Sequence, residues 1–132
     1  SDAAFEDRFG YSVSIDGAYA IVGAYTNDAA ADQSGSAYIF KRSGTTWAEQ
    51  VMLIGSDTAA HDYFGYSVSI DGEYAVVGAY YDDDDGSGSG SAYIFKHDGT
   101  NWNQQAKLTA SDAAATIHKA RLIKLSRAVC FA

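Results

Sequence analysis

The sequence predicts an all-β protein assembled from two copies of one four-stranded unit. The first observation is an internal repeat, because residues 1–55 and 56–110 align without an insertion and are identical at 33 of 55 positions. The second is a period-two alternation of apolar and polar residues, which is typical of half-buried strands. The third is a composition with 13 glycines, 10 tyrosines and no proline, which favours strands and turns. Each copy is too short to bury a core alone, so the two must pack together.

The first two strands of each copy are predicted to form a hairpin. Apolar residues alternate with serines over residues 11–15, which predicts a half-buried strand. Asp16 and Gly17 separate this strand from an apolar run, Tyr19–Tyr25, and the same dipeptide recurs in the second copy. Asp-Gly between two β-rich runs predicts a tight type I′ turn, in which both central residues have positive φ. Because the run after the turn is apolar or small on both faces, we expect it to be covered on both sides.

Two further strands complete each unit. In the first copy they are predicted at Ser36–Lys41 and Thr46–Leu53, with a turn at Ser43 and Gly44. Four antiparallel strands in a unit of this length are typical of a β-propeller blade. Two blades cannot close a ring, so we expect further blades or further copies of the chain to cover the exposed faces and edges.

The outermost strand differs between the copies in a way that suggests a contact surface. In the second copy Trp102, Ala106 and Leu108 alternate with polar residues, which predicts one dry and one wet face. Where that strand has a lysine and a threonine, the first copy has Met52 and Ile54. Met52 and Ile54 are therefore candidate interface residues, and local repacking in an unequal environment is the alternative, since scattered apolar surface residues are common.

Several segments resemble FG-GAP repeats, the blades of the integrin α-subunit propeller. They are a Phe-Gly pair followed by YSVSIDG, the Val-Gly-Ala-Tyr segments at 22–25 and 77–80, and GSAYIF. The resemblance covers about residues 1–115 and implies a propeller fold with an extracellular or cell-surface role in interaction or adhesion. Tyr25 and Tyr80 stand where the family has its proline. The Asp-x-Asp-x-Asp-Gly loop of integrin blades is absent, so the family's calcium sites do not carry over.

The predicted organisation has three parts. Residues 1–55 form the first FG-GAP-like blade, residues 56–110 form the second, and residues 111–132 begin a third repeat and continue as an irregular basic tail. Leu122 and Leu125 are candidate interface residues in this tail. One reading is that the tail docks on an acidic blade and covers an open edge. The other is that it is an out-of-frame end foreign to the repeat.

Charge and hydropathy exclude two classes of partner. The net charge is −8. Residues 1–115 contain all 17 acidic residues and only five of the nine basic residues, so this segment has a charge of −12 and the remainder has a charge of +4. An acidic body repels a phosphate backbone, so nucleic acid is not expected as a partner. No apolar run is long enough to predict insertion into a membrane. Cys130 is the single cysteine, which rules out an internal disulfide framework.

An aspartate run at 82–85 is the one candidate for binding a metal ion. Followed by a Gly-Ser loop, it offers oxygen ligands of the kind that Ca²⁺ prefers, with Asp83 and Asp85 as weak candidates. The first copy shares a single aspartate with this run, Asp28, and no spaced ligand motif is present. The alternative is a solvated loop of like charges. No other cofactor is expected.

Catalysis is not expected. The side chains able to act as base or nucleophile are few, and His61, His97, His118 and Cys130 have no counterpart in the other copy. Trp47 and Trp102 could stack on sugar rings, although repeated aromatic residues more often pack between strands.

The sequence therefore predicts a non-enzymatic, extracellular β-propeller module for protein–protein interaction. Its expected partners are other copies of itself, other propeller blades or an extracellular protein. A chain with one open blade face at each end can add copies head to tail, as a ring or a filament. The alternative is a lectin-like propeller module that binds carbohydrate or calcium.

Overall fold

The computed structural model describes residues 7–81 and 89–109, which form two four-stranded antiparallel sheets. Strand order in each sheet follows the sequence, and the described residues contain no helix. Blade 1 consists of β1 (Ser12–Asp16), β2 (Tyr19–Ala24), β3 (Ser36–Ser43) and β4 (Thr46–Leu53). Blade 2 consists of β5 (Phe64–Asp71), β6 (Tyr74–Ala79), β7 (Ser91–His97) and β8 (Trp102–Leu108). The all-β prediction of two four-stranded units is confirmed, and the basic tail lies outside the described residues.

The first hairpin of blade 1 is present, but its turn is not of type I′. Asp16 pairs with Tyr19, so the loop residues are Gly17 and Ala18, and of these two Gly17 alone has positive φ, at 57°. One positive φ at the first central position is the pattern of type II′. The strand runs one residue further than the Asp-Gly dipeptide suggests. Asp16 is thereby held extended, and its carboxylate accepts a hydrogen bond of 2.7 Å from the Gly72 N–H of blade 2.

A β-bulge in each outer strand overturns the predicted single dry face. In blade 2 the register of β7 against β8 shifts between Ile94 and Phe95, which leaves one extra residue in β8. An extra residue reverses the alternation of side chains beyond it. Trp102 therefore lies on one face of the sheet, whereas Ala106 and Leu108 lie on the other.

The two blades stack face to face, and the core lies between them. We call the face of each blade that is turned toward the preceding repeat its upstream face, and the opposite face its downstream face. The downstream face of blade 1 contributes Tyr19, Ile21, Ala37, Ile39, Val51 and Leu53 to the core. The upstream face of blade 2 contributes Phe64, Val68, Ile70, Ala75, Val77, Ala79, Tyr93, Phe95 and Trp102.

At the junction the repeated Phe-Gly pair brings backbone against backbone. The Phe64 N–H donates to the Ser34 carbonyl at 2.9 Å, and Phe64 forms an isolated parallel bridge with Gly35. A Cβ atom on Gly35 would collide with the Phe64 backbone, and one on Gly23 would collide with the Gly65 carbonyl. Glycine is needed here because no side chain fits between the two backbones.

Serines of the innermost strand of blade 1 complete the junction. The Ser12 hydroxyl donates to the Gly65 carbonyl at 2.9 Å, and the Ile70 N–H donates to Ser14 Oγ at 3.2 Å. The polar positions of the β1 alternation therefore face blade 2 and not solvent. Its apolar positions are left on the upstream face of blade 1.

Candidate interaction surfaces

The upstream face of blade 1 exposes apolar side chains whose counterparts in blade 2 are buried. Val13 is 65% exposed, whereas Val68, at the same position of the second repeat, is 7% exposed. The sequence is the same at these positions, so the difference arises because blade 1 covers blade 2 and no described residue covers blade 1. The same contrast separates Phe9, Ile15 and Trp47 from Phe64, Ile70 and Trp102.

The exposed upstream face already has the geometry of its buried counterpart. Phe9 packs edge-on against Tyr38 and Phe40, with ring centroids 5.3 and 6.2 Å apart. The three equivalent rings of blade 2 lie 5.1 and 6.1 Å apart in the same edge-on arrangement. Little rearrangement would therefore be needed for another blade to pack on this face.

The downstream face of blade 2 is the second exposed apolar surface. Leu108 is 50% exposed, whereas its counterpart Leu53 is 3% exposed in the junction. Tyr74 is also exposed, and its counterpart Tyr19 packs edge-on against Trp102, with centroids 5.7 Å apart. The two surfaces thus correspond to the two halves of the internal junction.

Two of the four predicted interface residues lie in the described part of the chain. Met52 pairs with Tyr38 across β3 and β4, which places it on the upstream face of blade 1, where it is half-buried. Ile54 follows β4 and is 38% exposed. Leu122 and Leu125 lie outside the described residues, and their role stays a prediction.

Blade 2 has a lysine, Lys107, where blade 1 has Met52. This lysine joins the outer strand β8 to Asp57 through an ion pair. The Lys107 ammonium lies 2.6 Å from the Asp57 carboxylate and 5.3 Å from the centroid of the Tyr93 ring. The Tyr93 hydroxyl donates to the other oxygen of Asp57 at 2.7 Å. In blade 1 a methionine occupies this position, so an apolar side chain takes the place of the ion pair on the exposed face.

A comparison with protein families agrees with this geometry. The family model described as FG-GAP repeat matches residues 1–40 and 47–95. The chain belongs to the FG-GAP repeat family. The predicted resemblance is thereby confirmed, and the two sheets are blades of a β-propeller-type repeat module. No curated protein matches the chain. FG-GAP repeats are typical of extracellular and surface proteins, and within residues 7–81 and 89–109 no helix is long and apolar enough to cross a membrane.

The metal candidates of this FG-GAP chain, Asp83 and Asp85, lie outside the described residues. Within the described ranges, no three His, Cys, Asp or Glu side chains are grouped closely enough to hold a metal ion. The two described histidines have other neighbours. His61 Nε2 lies 3.6 Å from an Asp32 carboxylate oxygen at the surface, and the His97 ring lies 4.9 Å from that of Trp102.

A polar groove lies on the outer side of blade 2, and Asp98 is one of the residues that line it. The groove has a volume of about 580 Å³ and is lined by charged and amide side chains. Asp98 accepts hydrogen bonds from the backbone N–H groups of Asn101 and Thr100 and from the Asn103 amide. These donors, the Asn101 N–H foremost, hold the pKa of the Asp98 carboxyl below its usual value. The carboxylate thus closes the turn between β7 and β8.

The two tryptophans of the FG-GAP repeats have different environments. Trp102 is buried at the junction between the rings of Tyr19 and His97, so it has the packing role. Trp47 is 37% exposed on the upstream face of blade 1.

Six tyrosines form a continuous cluster across the two blades, near the start of β1 and β5. Neighbouring ring centroids in this tyrosine cluster lie 4.2 to 6.0 Å apart. The sequence pattern did not reveal this cluster, although four of its members recur as two pairs at equivalent positions of the two copies. Its members are Tyr11, Tyr25, Tyr63, Tyr66, Tyr80 and Tyr81.

Hydrogen bonding and burial alter the acidity of two members. The Tyr11 and Tyr66 hydroxyl oxygens lie 3.2 Å apart and share one hydrogen bond. This hydrogen bond, together with burial, raises the pKa of Tyr66 to about 12. Burial, followed by the neighbouring phenols, raises the pKa of Tyr80. Both phenols therefore stay protonated at neutral pH.

Equivalent backbone strain in each blade positions a side chain over the cluster. Arg8 and Tyr63 occupy the same position of the two repeats and have φ values of 58° and 60°, which non-glycine residues rarely adopt. The Arg8 guanidinium lies 5.9 Å from the centroid of the Tyr25 ring. Tyr63 stacks on Tyr80 with centroids 5.6 Å apart. The same strained position thus covers the same tyrosine in each blade.

Proposed function

We propose that this chain is a non-enzymatic, extracellular interaction module that self-assembles head to tail through its two exposed blade faces. In this arrangement the downstream face of blade 2 in one copy receives the upstream face of blade 1 in the next. The observation that carries the proposal is that each half of the buried internal junction recurs, uncovered, at the opposite end of the described chain.

Many residues of the internal junction are identical at equivalent positions of the two repeats, which supports a junction of the same kind between copies. The upstream pairs are Phe9 and Phe64, Val13 and Val68, Ile15 and Ile70, and Trp47 and Trp102. The downstream pairs are Tyr19 and Tyr74, Ile39 and Ile94, and Leu53 and Leu108. Since each pair consists of one residue type, a junction between copies would contain nearly the same contacts as the junction within a copy.

The form of the assembly follows from the type of contact. Joining an upstream face to a downstream face uses two different surfaces, so the contact is heterologous. Such contacts close into a ring if the rotation between blades fits and extend into a filament if it does not. Other FG-GAP blades with the same faces would fit the same two surfaces.

The extracellular setting and a role in adhesion are supported by the family. FG-GAP repeats are typical of extracellular and surface proteins, and the match covers both repeats. The acidic charge of residues 1–115 is consistent with a protein partner and opposes nucleic acid.

The proposal is tested by solution mass, measured with light scattering on the intact chain of 14.0 kDa. We expect the wild-type protein to have a mass that is a multiple of one chain. Ile15→Glu places a charge on the upstream face, and Leu108→Glu places one on the downstream face. Each variant should remain a monomer, because every contact between copies would bury the glutamate in an apolar interface. Thr45→Glu, in the exposed turn between β3 and β4, is the matched control and should assemble like the wild type.

A mixture of the two interface variants tests the head-to-tail arrangement. The Ile15→Glu chain keeps its downstream face and the Leu108→Glu chain keeps its upstream face, so together they should form a dimer and grow no further. Wild-type protein that remains a monomer at every concentration would refute self-assembly. Variants that assemble alone would refute this pair of faces.

A further inference from the structure

Tyr11 and Tyr66 are at the same position of the two repeats and touch across the blade junction. Their hydroxyl oxygens lie 3.2 Å apart, and their ring centroids lie 5.1 Å apart at an angle of 39°. The ring carbons ortho to each hydroxyl are bonded to the carbon that carries it. A short distance between the two oxygens therefore also brings ortho carbons of the two rings close together.

We propose that Tyr11 and Tyr66 form an oxidative cross-linking site, at which a one-electron oxidant such as a peroxidase intermediate joins the two rings as dityrosine. The link would connect β1 to β5, the innermost strands of the two blades. It would form within one chain, so it does not depend on self-assembly.

The cross-linking step balances with two one-electron oxidations. Each phenol loses one electron to the oxidant and its hydroxyl proton to water, which leaves two phenoxyl radicals. The radicals couple through a new bond between ortho carbons. The hydrogens on these two carbons then leave as protons while the phenolic oxygens take up protons, which restores both aromatic rings. The net change is the loss of two hydrogen atoms from the chain, and one hydrogen peroxide is reduced to two waters.

Exposure gives the oxidant access to the pair. Tyr11 is 53% exposed, whereas Tyr66 is half-buried. The Tyr11 ring also lies 4.7 Å from that of Tyr25, and the Tyr66 ring lies 4.2 Å from that of Tyr80. Electron exchange between rings at these distances can move a radical from an exposed phenol to a half-buried one. A radical formed at the surface of the tyrosine cluster can thereby reach the pair whose hydroxyls are in contact.

Other ring pairs in the same cluster compete with Tyr11 and Tyr66: Tyr66 with Tyr80 at 4.2 Å, Tyr11 with Tyr25 at 4.7 Å, and Tyr25 with Tyr66 at 5.0 Å. The rings of these pairs are closer than those of Tyr11 and Tyr66. The proposal rests on the contact between hydroxyls and not on the distance between centroids, because coupling joins the carbons beside the hydroxyls. Phenylalanine at any of these sites keeps the ring packing and removes the phenol that forms the radical. Phenylalanine substitutions therefore show which phenols take part in the link.

In the experiment the intact chain, at low concentration, is treated with peroxidase and hydrogen peroxide. Three readouts are used: dityrosine fluorescence, the intact mass, and linked peptides after trypsin digestion. Cleavage after Arg8, Lys41, Arg42 and Lys96 places Tyr11 in peptide 9–41 and Tyr66 in peptide 43–96. We expect a single-chain product that has lost two hydrogens, with these two peptides joined through Tyr11 and Tyr66.

Four variants decide the assignment. Tyr11→Phe and Tyr66→Phe should each reduce the single-chain cross-link to background. Tyr80→Phe, inside the cluster, and Tyr74→Phe, on the downstream face, should form it as the wild type does. A cross-link that persists in Tyr11→Phe, or one lost in Tyr80→Phe, would overturn the proposal. So would oxidation products that join separate chains and leave no link within a chain.

Discussion

Ile15 and Ile70 occupy the same position of the two repeats, yet Ile15 is 57% exposed and Ile70 is completely buried. Both lie in the innermost strand of their blade and on its upstream face. Ile70 packs in the core formed with blade 1. The pair therefore measures what one blade contributes to the burial of the next, with residue type and local sequence held constant.

Truncation of these two isoleucines should give unequal losses of stability. We expect Ile70→Ala to lower the free energy of unfolding by about 2–5 kcal/mol, as for other buried isoleucines. Ile15→Ala should change it by about 0.5 kcal/mol or less, as is usual at the surface. Urea unfolding at a protein concentration low enough to keep the chain monomeric measures both. Equal losses in the two variants would contradict the stacking of the blades.

Two glycines give a second matched pair. Gly10 and Gly65 have nearly the same φ, 93° and 94°, but a Cβ on Gly65 would collide with the Ser36 carbonyl, whereas one on Gly10 meets no described atom within 4 Å. Gly10→Ala should therefore cost about 1–3 kcal/mol for the strained backbone alone. Gly65→Ala should cost this amount and about 1–3 kcal/mol more for the collision.

Thermal and urea unfolding of the two glycine variants measure the difference. A serine at each position serves as a further control, because it adds a Cβ in the same place. If Gly65→Ala were no less stable than Gly10→Ala, the close approach of the Phe-Gly backbone to blade 1 would not exist in solution.

The extent to which sequence predicted this fold depended on the kind of signal. The alternation around Val13 and the apolar run after it predicted β1 and β2 because period two is a local property of the chain. The bulge in β8 was missed because Gln104 and Gln105 are both polar, so an extra residue leaves no mark in the pattern. As a result, Trp102 was assigned to the wrong face relative to Leu108.

Sequence could not distinguish exposed from buried members of each repeated pair. Val13 and Val68 lie in the same local sequence, and their difference in exposure is set by which blade precedes them. The tyrosine cluster was missed because it depends on an unusual backbone conformation. Tyr63 reaches Tyr80 because its backbone adopts positive φ. The residue at this position is a tyrosine and not a glycine, so the sequence does not predict that conformation.

The ion pair of blade 2 should tolerate the residue that blade 1 uses in its place. Lys107→Met keeps an unbranched side chain beside Tyr93 and removes a charge that is partly exposed together with its partner. We expect a loss of about 0–1 kcal/mol, as for other ion pairs that remain in contact with solvent. Asp57→Ala removes the acceptor of both the lysine and the Tyr93 hydroxyl, so it should cost more, about 1–3 kcal/mol.

Unfolding in urea at low and high salt distinguishes these two effects. The difference between wild type and Lys107→Met should shrink somewhat at high salt, because the aspartate of the pair is open to screening by ions. The Tyr93 hydroxyl bond to Asp57 also involves a carboxylate but does not require the lysine. If Lys107→Met lowered the free energy of unfolding as much as Asp57→Ala does, the ion pair would be the main stabilising contact of Asp57, and its bond to the Tyr93 hydroxyl would contribute little.

The hydroxyl contact between Tyr11 and Tyr66 should make stability depend on pH in the alkaline range. The pKa of Tyr66 is about 12 in the folded chain, against a usual value of 10.0. Below pH 10.0 Tyr66 is protonated in both states, so its contribution to stability is fully present. Between pH 10.0 and about 12 the unfolded chain loses the proton first, and stability falls as pH rises.

Phenylalanine variants show whether this fall comes from the contact itself. Tyr11→Phe removes the hydrogen bond that contributes most to the raised pKa, so the pKa of Tyr66 should return toward 10.0 and the decline in stability should become shallower. Tyr66→Phe removes the ionising group and should make the decline shallower as well. Urea unfolding across this pH range and an ultraviolet titration of the phenols measure the two quantities separately. A wild-type slope retained in both variants would place the alkaline transition outside this pair, because neither phenol would then be coupled to folding.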